Sequence, residues 1–223
     1  MRVRRTLAAL LLPLGLGGCG TFAQSYDPTG VDQLTIPTPS PEPSDFTGTV
    51  DNPWLPLAPG TTLTYDLTGP ELTGSRVVSV LPGHVDVAGV ATTAVRSTVS
   101  GSGTSGTAGG QEATDYYAQD THGNVWWFGH QATTGSWRAG EGGAQAGLAM
   151  AARPRTGDGY RTAYLPGVVE DIATVVSVDA DTVQVDVTTA LAPGGVTRET
   201  YRRGTGLVTL IDAVTGEVDQ LRD

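Results

Sequence analysis

Glu112-Ala113-Thr114-Asp115-Tyr116-Tyr117-Ala118-Gln119, then Asp120-Thr121-His122-Gly123-Asn124, then Val125-Trp126-Trp127-Phe128-Gly129-His130, is the stretch from which the fold is read. Two runs rich in rings and β-branched residues flank five turn-forming residues, the pattern of a β-hairpin. Pairing about His122-Gly123 sets Tyr117 opposite Phe128 and Gln119 opposite Trp126. Tyr116, Ala118 and Trp127 then fall on the other face, because side chains alternate along a strand. Both faces carry large rings. One face fills a core, and the other needs a cover.

The same grammar extends to both sides. Upstream, Thr61–Leu67 and Arg76–Leu81 alternate as strands, and Val85–Val87 and Val90–Ser97 flank an Ala88-Gly89 turn. Ser100–Gly110 is rich in Gly, Ser and Thr and reads as a mobile loop. Downstream, Thr133–Gly159 is rich in Gly and Ala and reads as irregular, with at most a helical turn near Gly147–Ala152. It contains Trp137 and is the natural cover for the hairpin. Strands resume at Tyr160–Leu165, Val168–Val178, Thr182–Thr188, Thr197–Arg202, Leu207–Ile211 and Glu217–Leu221. No sustained helical period appears, and no repeat of fixed length marks a propeller. The expected fold is all-β. It is a single antiparallel meander, a curled sheet or partly open barrel with an irregular Gly/Ala-rich flap, because a sheet of this size must curl or close to bury its apolar face.

The N-terminus carries an address. Arg2, Arg4 and Arg5 precede ten apolar residues, Leu7 to Leu16, followed by Gly17 and Gly18. Ten residues make a helix of about 15 Å, half the hydrocarbon core of a bilayer. Met1–Gly18 therefore reads as a signal peptide, not a span. Leu16-Gly17-Gly18-Cys19 ends at the one cysteine in the chain and resembles the bacterial lipobox, whose thiol is acylated. A single thiol has no partner for an internal disulfide in an oxidising compartment. Residues 19–49 read as a lipidated Cys19 followed by a disordered tether, because Pro37, Pro39, Pro41 and Pro43 favour extended polyproline II. The β-domain is expected over 50–223. The expected location is the extracytoplasmic face of the cell membrane, with the membrane as partner through acylated Cys19.

Composition narrows the function. The chain has a net charge of −10 and no lysine. An acidic surface argues against nucleic acid and against a basic grip on anionic lipid. His84, His122 and His130 have no short ligand spacing, so no metal is expected, and no motif for a cofactor is present. Neither a G-x-S-x-G elbow nor a Walker loop occurs. Glu170 and Asp171 are neighbours on a strand and point to opposite faces, so they cannot work as an acid/base pair. No catalytic residue is assigned, and the chain is not expected to be an enzyme.

Several phrases occur together: Asn52-Pro53-Trp54-Leu55-Pro56-Leu57-Ala58-Pro59-Gly60-Thr61, Tyr117-Ala118-Gln119-Asp120 through Gly123-Asn124-Val125-Trp126-Trp127-Phe128-Gly129, and Tyr201-x-x-Gly204-x-Gly206-Leu207-Val208. In these the chain resembles a family of exported actinobacterial proteins and lipoproteins with no assigned activity. The resemblance implies an envelope β-protein and supplies no catalytic residue. The family favours Glu where His130 stands, which argues against His130 as a required ligand. The expected function is a non-enzymatic binding or carrier module for an apolar ligand or an envelope protein partner. Tyr117, Trp126, Trp127, Phe128 and Trp137 are its candidate binding residues. A structural protein without a small-molecule site, and a hydrolase whose residues meet only in space, are the alternatives.

Overall fold

A computed structural model describes residues 42–70, 72–103 and 106–223. The signal segment, Cys19 and the tether as far as Pro41 lie outside the described residues. A 3-10 turn, Pro43–Asp45, leads into β1 (Phe46–Thr47). Then come β2 (Thr62–Thr68), β3 (Leu72–Val80), β4 (Val85–Val87), β5 (Val90–Gly103), β6 (Gly106–Asp120) and β7 (Val125–Gln131). The second half holds β8 (Trp137–Arg138), β9 (Gln145–Met150), β10 (Gly159–Leu165), β11 (Val169–Val178), β12 (Thr182–Thr189), β13 (Thr197–Arg202), β14 (Gly206–Asp212) and β15 (Val218–Leu221).

Twelve of these strands close a barrel in the order β6-β5-β3-β2-β15-β14-β13-β12-β11-β10-β9-β7, with β7 pairing back onto β6. All pairs are antiparallel. The all-β meander expected from the sequence is therefore present, and it is closed. Closure leaves no unpaired edge in the wall. The three short strands are additions: β1 on β6, β4 on β5 and β8 on β7. The β4–β5 turn is Ala88-Gly89, with φ of 54° and 79°, the positive values of a type I′ turn.

Two segments differ from the sequence reading. Ser100–Gly110 is not an open loop: β5 and β6 run on as a ladder to Gly103 and Gly106. A Cβ on Gly101 would lie 2.4 Å from the Thr73 carbonyl oxygen, so glycine lets the β5 and β3 backbones approach. Nor is all of Thr133–Gly159 a flap. Gln145–Met150 is a wall strand between β7 and β10. Its low β-propensity hid it, and its glycine has a steric reason. A Cβ on Gly147 would lie 2.4 Å from the Arg161 carbonyl oxygen, so only glycine lets β9 approach β10. The folded part also begins before residue 50, because Phe46 packs edge-on against Trp126 and Phe128 at 6.3 and 5.0 Å.

Twelve strands enclose more space than inward side chains can fill; about eight is the number at which they just suffice. One end of the barrel is stopped by a loop. Val50, Trp54 and Leu57 are buried in the same cluster as Val125, Met150, Val175, Val183 and Tyr201 from the wall. Asn52, 2% exposed, organises this plug. Its Oδ1 accepts from the Trp54 and Leu55 amides at 2.8 and 3.2 Å, and its Nδ2 donates to the Gly123 carbonyl at 2.8 Å. Gln119 Oε1 accepts from the Asp51 and Asn52 amides at 2.9 and 2.8 Å. The phrase Asn52-Pro53-Trp54 is thus a cork.

Candidate functional site

The aromatic hairpin forms part of the wall, and its register decides what faces the interior. Gln119 pairs with Val125, Ala118 with Trp126 and Tyr117 with Trp127. The expected pairing of Tyr117 with Phe128 and Gln119 with Trp126 is therefore corrected by one residue. The physical reason is the turn. Asp120 and Asn124 close a three-residue loop, with Gly123 at φ 88° in the left-handed position. Asp120 Oδ1 accepts from the His122 and Asn124 amides, both at 2.9 Å, and fixes it. Beyond Tyr117 the ladder shifts, with Tyr116 opposite Gly129 and Asp115 opposite His130. Phe128 is the extra residue of this bulge, which is why Trp127 and His130 turn to the same face.

The five sequence candidates separate accordingly. Trp126 and Phe128 point outward into a sealed cluster with Tyr116, Ala118, Val87, Val90 and Ala139. Phe46, Val85, Val87 and Val90 contribute to that cover together with Ala139 of the Thr133–Gly159 segment. Trp126 Nε1 donates to Asp120 Oδ2 at 2.9 Å. Tyr117 and Trp127 point inward. Trp127 Nε1 donates to Asp115 Oδ1 at 3.1 Å, and its ring meets Trp137 edge-on at 5.0 Å. Trp137 is buried with Ala144, Ala163 and Val169.

Inside the barrel, two chambers adjoin. The first, about 240 Å³, lies beside the plug and is mostly apolar, with Leu57, Leu63, Val78, Val95, Leu207 and Leu210 in its lining. Arg76 also reaches it, held to Asp219 at 2.9 Å. The second, about 360 Å³, is polar and is bordered by Asp115, His130, Thr162, Asp171 and Glu199 beside Trp127. Tyr117, Tyr201, Ala149, Asp115 and Glu199 border both, and form the collar between them. Asp171, Val187 and Thr197 also border a third, shallower hollow, of about 200 Å³, that runs to the β12–β13 loop at the end opposite the plug. Bulges again place residues here. Ala149 on β9 and Thr162 on β10 are each the extra residue of a register shift, and both border the polar chamber.

The polar chamber is electrostatically tense. Burial raises the Glu199 carboxyl above its usual range; the Tyr201 hydroxyl, donating to its Oε2 at 2.6 Å, opposes this, and the nearby Asp171 charge adds to it. Burial likewise raises Asp171. His130 is raised, first by its hydrogen bond to Asp115, Nδ1 to Oδ1 at 2.8 Å, against the opposing effect of burial. Burial pushes the Tyr117 and Tyr201 phenols well above their usual value, so both stay neutral donors. Thr162 is 7% exposed, and its Oγ1 has no hydrogen-bond partner among the described residues. A buried hydroxyl left so costs about 1–3 kcal/mol.

Of the sequence candidates, Tyr117 and Trp127 border the polar chamber and Trp137 packs behind Trp127; Asp115, Asp171, Glu199 and Tyr201 were not read from the sequence as a group. A signal was present. Asp115-x-Tyr117 and Glu199-x-Tyr201 each put a carboxylate and a phenol on one face of a strand. Glu170 and Asp171 do face opposite ways: Asp171 borders the chamber, and Glu170 Oε1 accepts from the Gly167 amide at 2.8 Å. Among the described residues, no group of three His, Cys, Asp or Glu is placed to hold a metal. Compared with known proteins, the chain matches no family model, no curated protein and no solved structure.

Proposed function

We propose that the protein is a lipid-anchored binding or carrier module of the cell envelope, and that its ligand is an apolar or amphiphilic molecule held inside the barrel. The observation that carries this reading is the unfilled interior. An apolar chamber of about 240 Å³ adjoins a polar one of about 360 Å³, together within the size range of small-molecule sites. Tyr117 and Trp127 are the wall residues that touch the ligand in this reading, with Trp137 behind Trp127. Trp126 and Phe128 hold the wall in place. No hydrolytic step is assigned to the Asp115–His130 pair, whose chamber carries the Thr162 and Thr197 hydroxyls and the Tyr117 and Tyr201 phenols.

Native mass spectrometry of protein purified from its own envelope is the direct test. Bound mass beyond the acyl modification is expected, together with uptake of an apolar fluorescent probe by stripped protein. Leu210→Trp, which fills the apolar chamber, should abolish that uptake while the barrel stays folded. Protein that carries nothing and takes up no probe would leave the structural reading standing. The anchor is tested separately. Cys19→Ala should release the protein from the membrane fraction, and continued incorporation of labelled fatty acid into that variant would refute the assignment.

A further inference from the structure

The polar chamber has charge of one sign. Asp115, Asp171 and Glu199 reach it from three different strands. The nitrogen base beside them, His130, is already bonded to one of the three, Asp115. Arg76 belongs to the other chamber and is held by Asp219. Trp127, Tyr117 and Tyr201 add ring faces of negative potential to the lining. With His130 paired to Asp115, Asp171 and Glu199 leave an excess of carboxylates that favours a cation.

The space is also built to bind. Glu199 Oε2 accepts one hydrogen bond, from Tyr201, where a carboxylate has room for about four. Thr162, 7% exposed, borders the chamber with its hydroxyl unpartnered among the described residues. The chamber adjoins the apolar one, and Tyr117 and Tyr201 line both.

We propose that the acidic chamber binds the protonated amine of an amphiphile whose apolar body lies in the chamber beside the plug. This rests on the reading of the barrel interior as a ligand site. The ammonium donates to Glu199 and Asp171 and sits against the Trp127 and Tyr201 rings. A metal ion is a poorer fit, because no three ligating groups converge among the described residues. A carboxylate headgroup would face like charges.

The test uses the mature chain from Gly20. The twelve wall strands pair with one another into a closed ring, so the barrel is tested without the acyl anchor. Dodecylamine, dodecanol, dodecanoate and butylamine are titrated in parallel at neutral pH, with binding followed by native mass spectrometry and tryptophan emission. Dodecylamine should bind on the order of tenfold more tightly than dodecanol, because a charge-assisted hydrogen bond replaces a neutral one. Dodecanoate should be weakest of the long chains, and butylamine, lacking the apolar body, weaker still. Glu199→Gln and Asp171→Asn should each erase most of the preference for dodecylamine over dodecanol. Melting curves of both variants confirm that they are folded. Equal binding of the three long chains, or a preference for dodecanoate, would overturn the proposal and leave the carrier reading intact. Butylamine binding as tightly as dodecylamine would overturn the amphiphile and point to a soluble amine. Failure of every compound to bind would overturn the carrier reading itself.

Discussion

Trp126 and Trp127 are neighbours in sequence, and each donates its indole N–H to an aspartate, Asp120 and Asp115 respectively. There the likeness ends. Trp126 is 2% exposed, sealed between the barrel wall and the Phe46 segment. Trp127 borders the polar chamber, half-buried, with its ring against Trp137. One aspartate closes a turn, and the other shares its oxygen with a histidine. The hairpin thus has a face that holds the wall together and a face that shapes a cavity. Residue type alone does not tell them apart; the register set by the Asp120–Asn124 turn does.

The largest effect should come from removing the rings in turn. Trp126→Ala is expected to cost about 3–5 kcal/mol, the usual range for a buried ring lost to a cavity, with Asp120 also losing a donor. Trp127→Ala should cost about half as much, because the space beside it is already open. Urea denaturation of the two variants measures both. Equal losses would mean that the inner face is as tightly packed as the outer, and the cavity reading would fail.

A second comparison sets carboxylates of the two faces against each other. Burial alone would raise Asp120, but hydrogen bonds from Asn124, Trp126 and the Asn124 and His122 amides outweigh it and hold it below the usual value. Its contribution to stability is present above the unfolded pKa, about 3.9, and is lost as pH falls through the folded value. Glu199 is raised by burial, so its contribution is present below about 4.3 and is lost as pH rises through the folded value. Asp120→Asn should therefore lower the melting temperature at pH 7 and matter less in acid. Glu199→Gln should raise it at pH 7 and change little at pH 4. Melting curves from pH 3 to 8 read both signs, and parallel curves for the two variants would break the distinction.

The smallest effect is a titration. His130, bonded to Asp115, should titrate above the ordinary imidazole value in an NMR pH series, and Asp115→Asn should bring it back. Trp127 shares the same Asp115 oxygen, so its emission should follow the same transition. Trp126 emission should not.

Much of the wall was legible in the sequence because most inward positions alternate with outward ones. The Val183 and Val185 pair on β12 reads directly as one buried face, and the Ala88-Gly89 turn announces itself. Three things were hidden. Gln145–Met150 has the composition of a loop and is a strand because two neighbouring strands demand a partner. The bulges at Phe128, Ala149 and Thr162 break the period of two, so alternation gives the wrong face beyond each. The cork was hidden too: Asn52 bonds to Gly123 across 71 residues, and no local pattern encodes a long-range contact. The candidate site depends on all three, and for that reason the carboxylates within it were not seen as a group.

The seam of the barrel has a consequence for how the chain folds. Most wall strands pair with sequence neighbours, but β15 joins β2, setting Val218 beside Thr68 and Leu221 beside Tyr65. A chain that folds from its N-terminus can zip hairpin after hairpin, yet the ring stays open until Val218–Leu221 is free. Closure is then a late step of high sequence separation, the kind that slows folding. Until it happens β2 has an unpaired edge, ready to take a strand from another chain. Four residues near the end of the sequence thus set the moment at which the molecule stops being sticky.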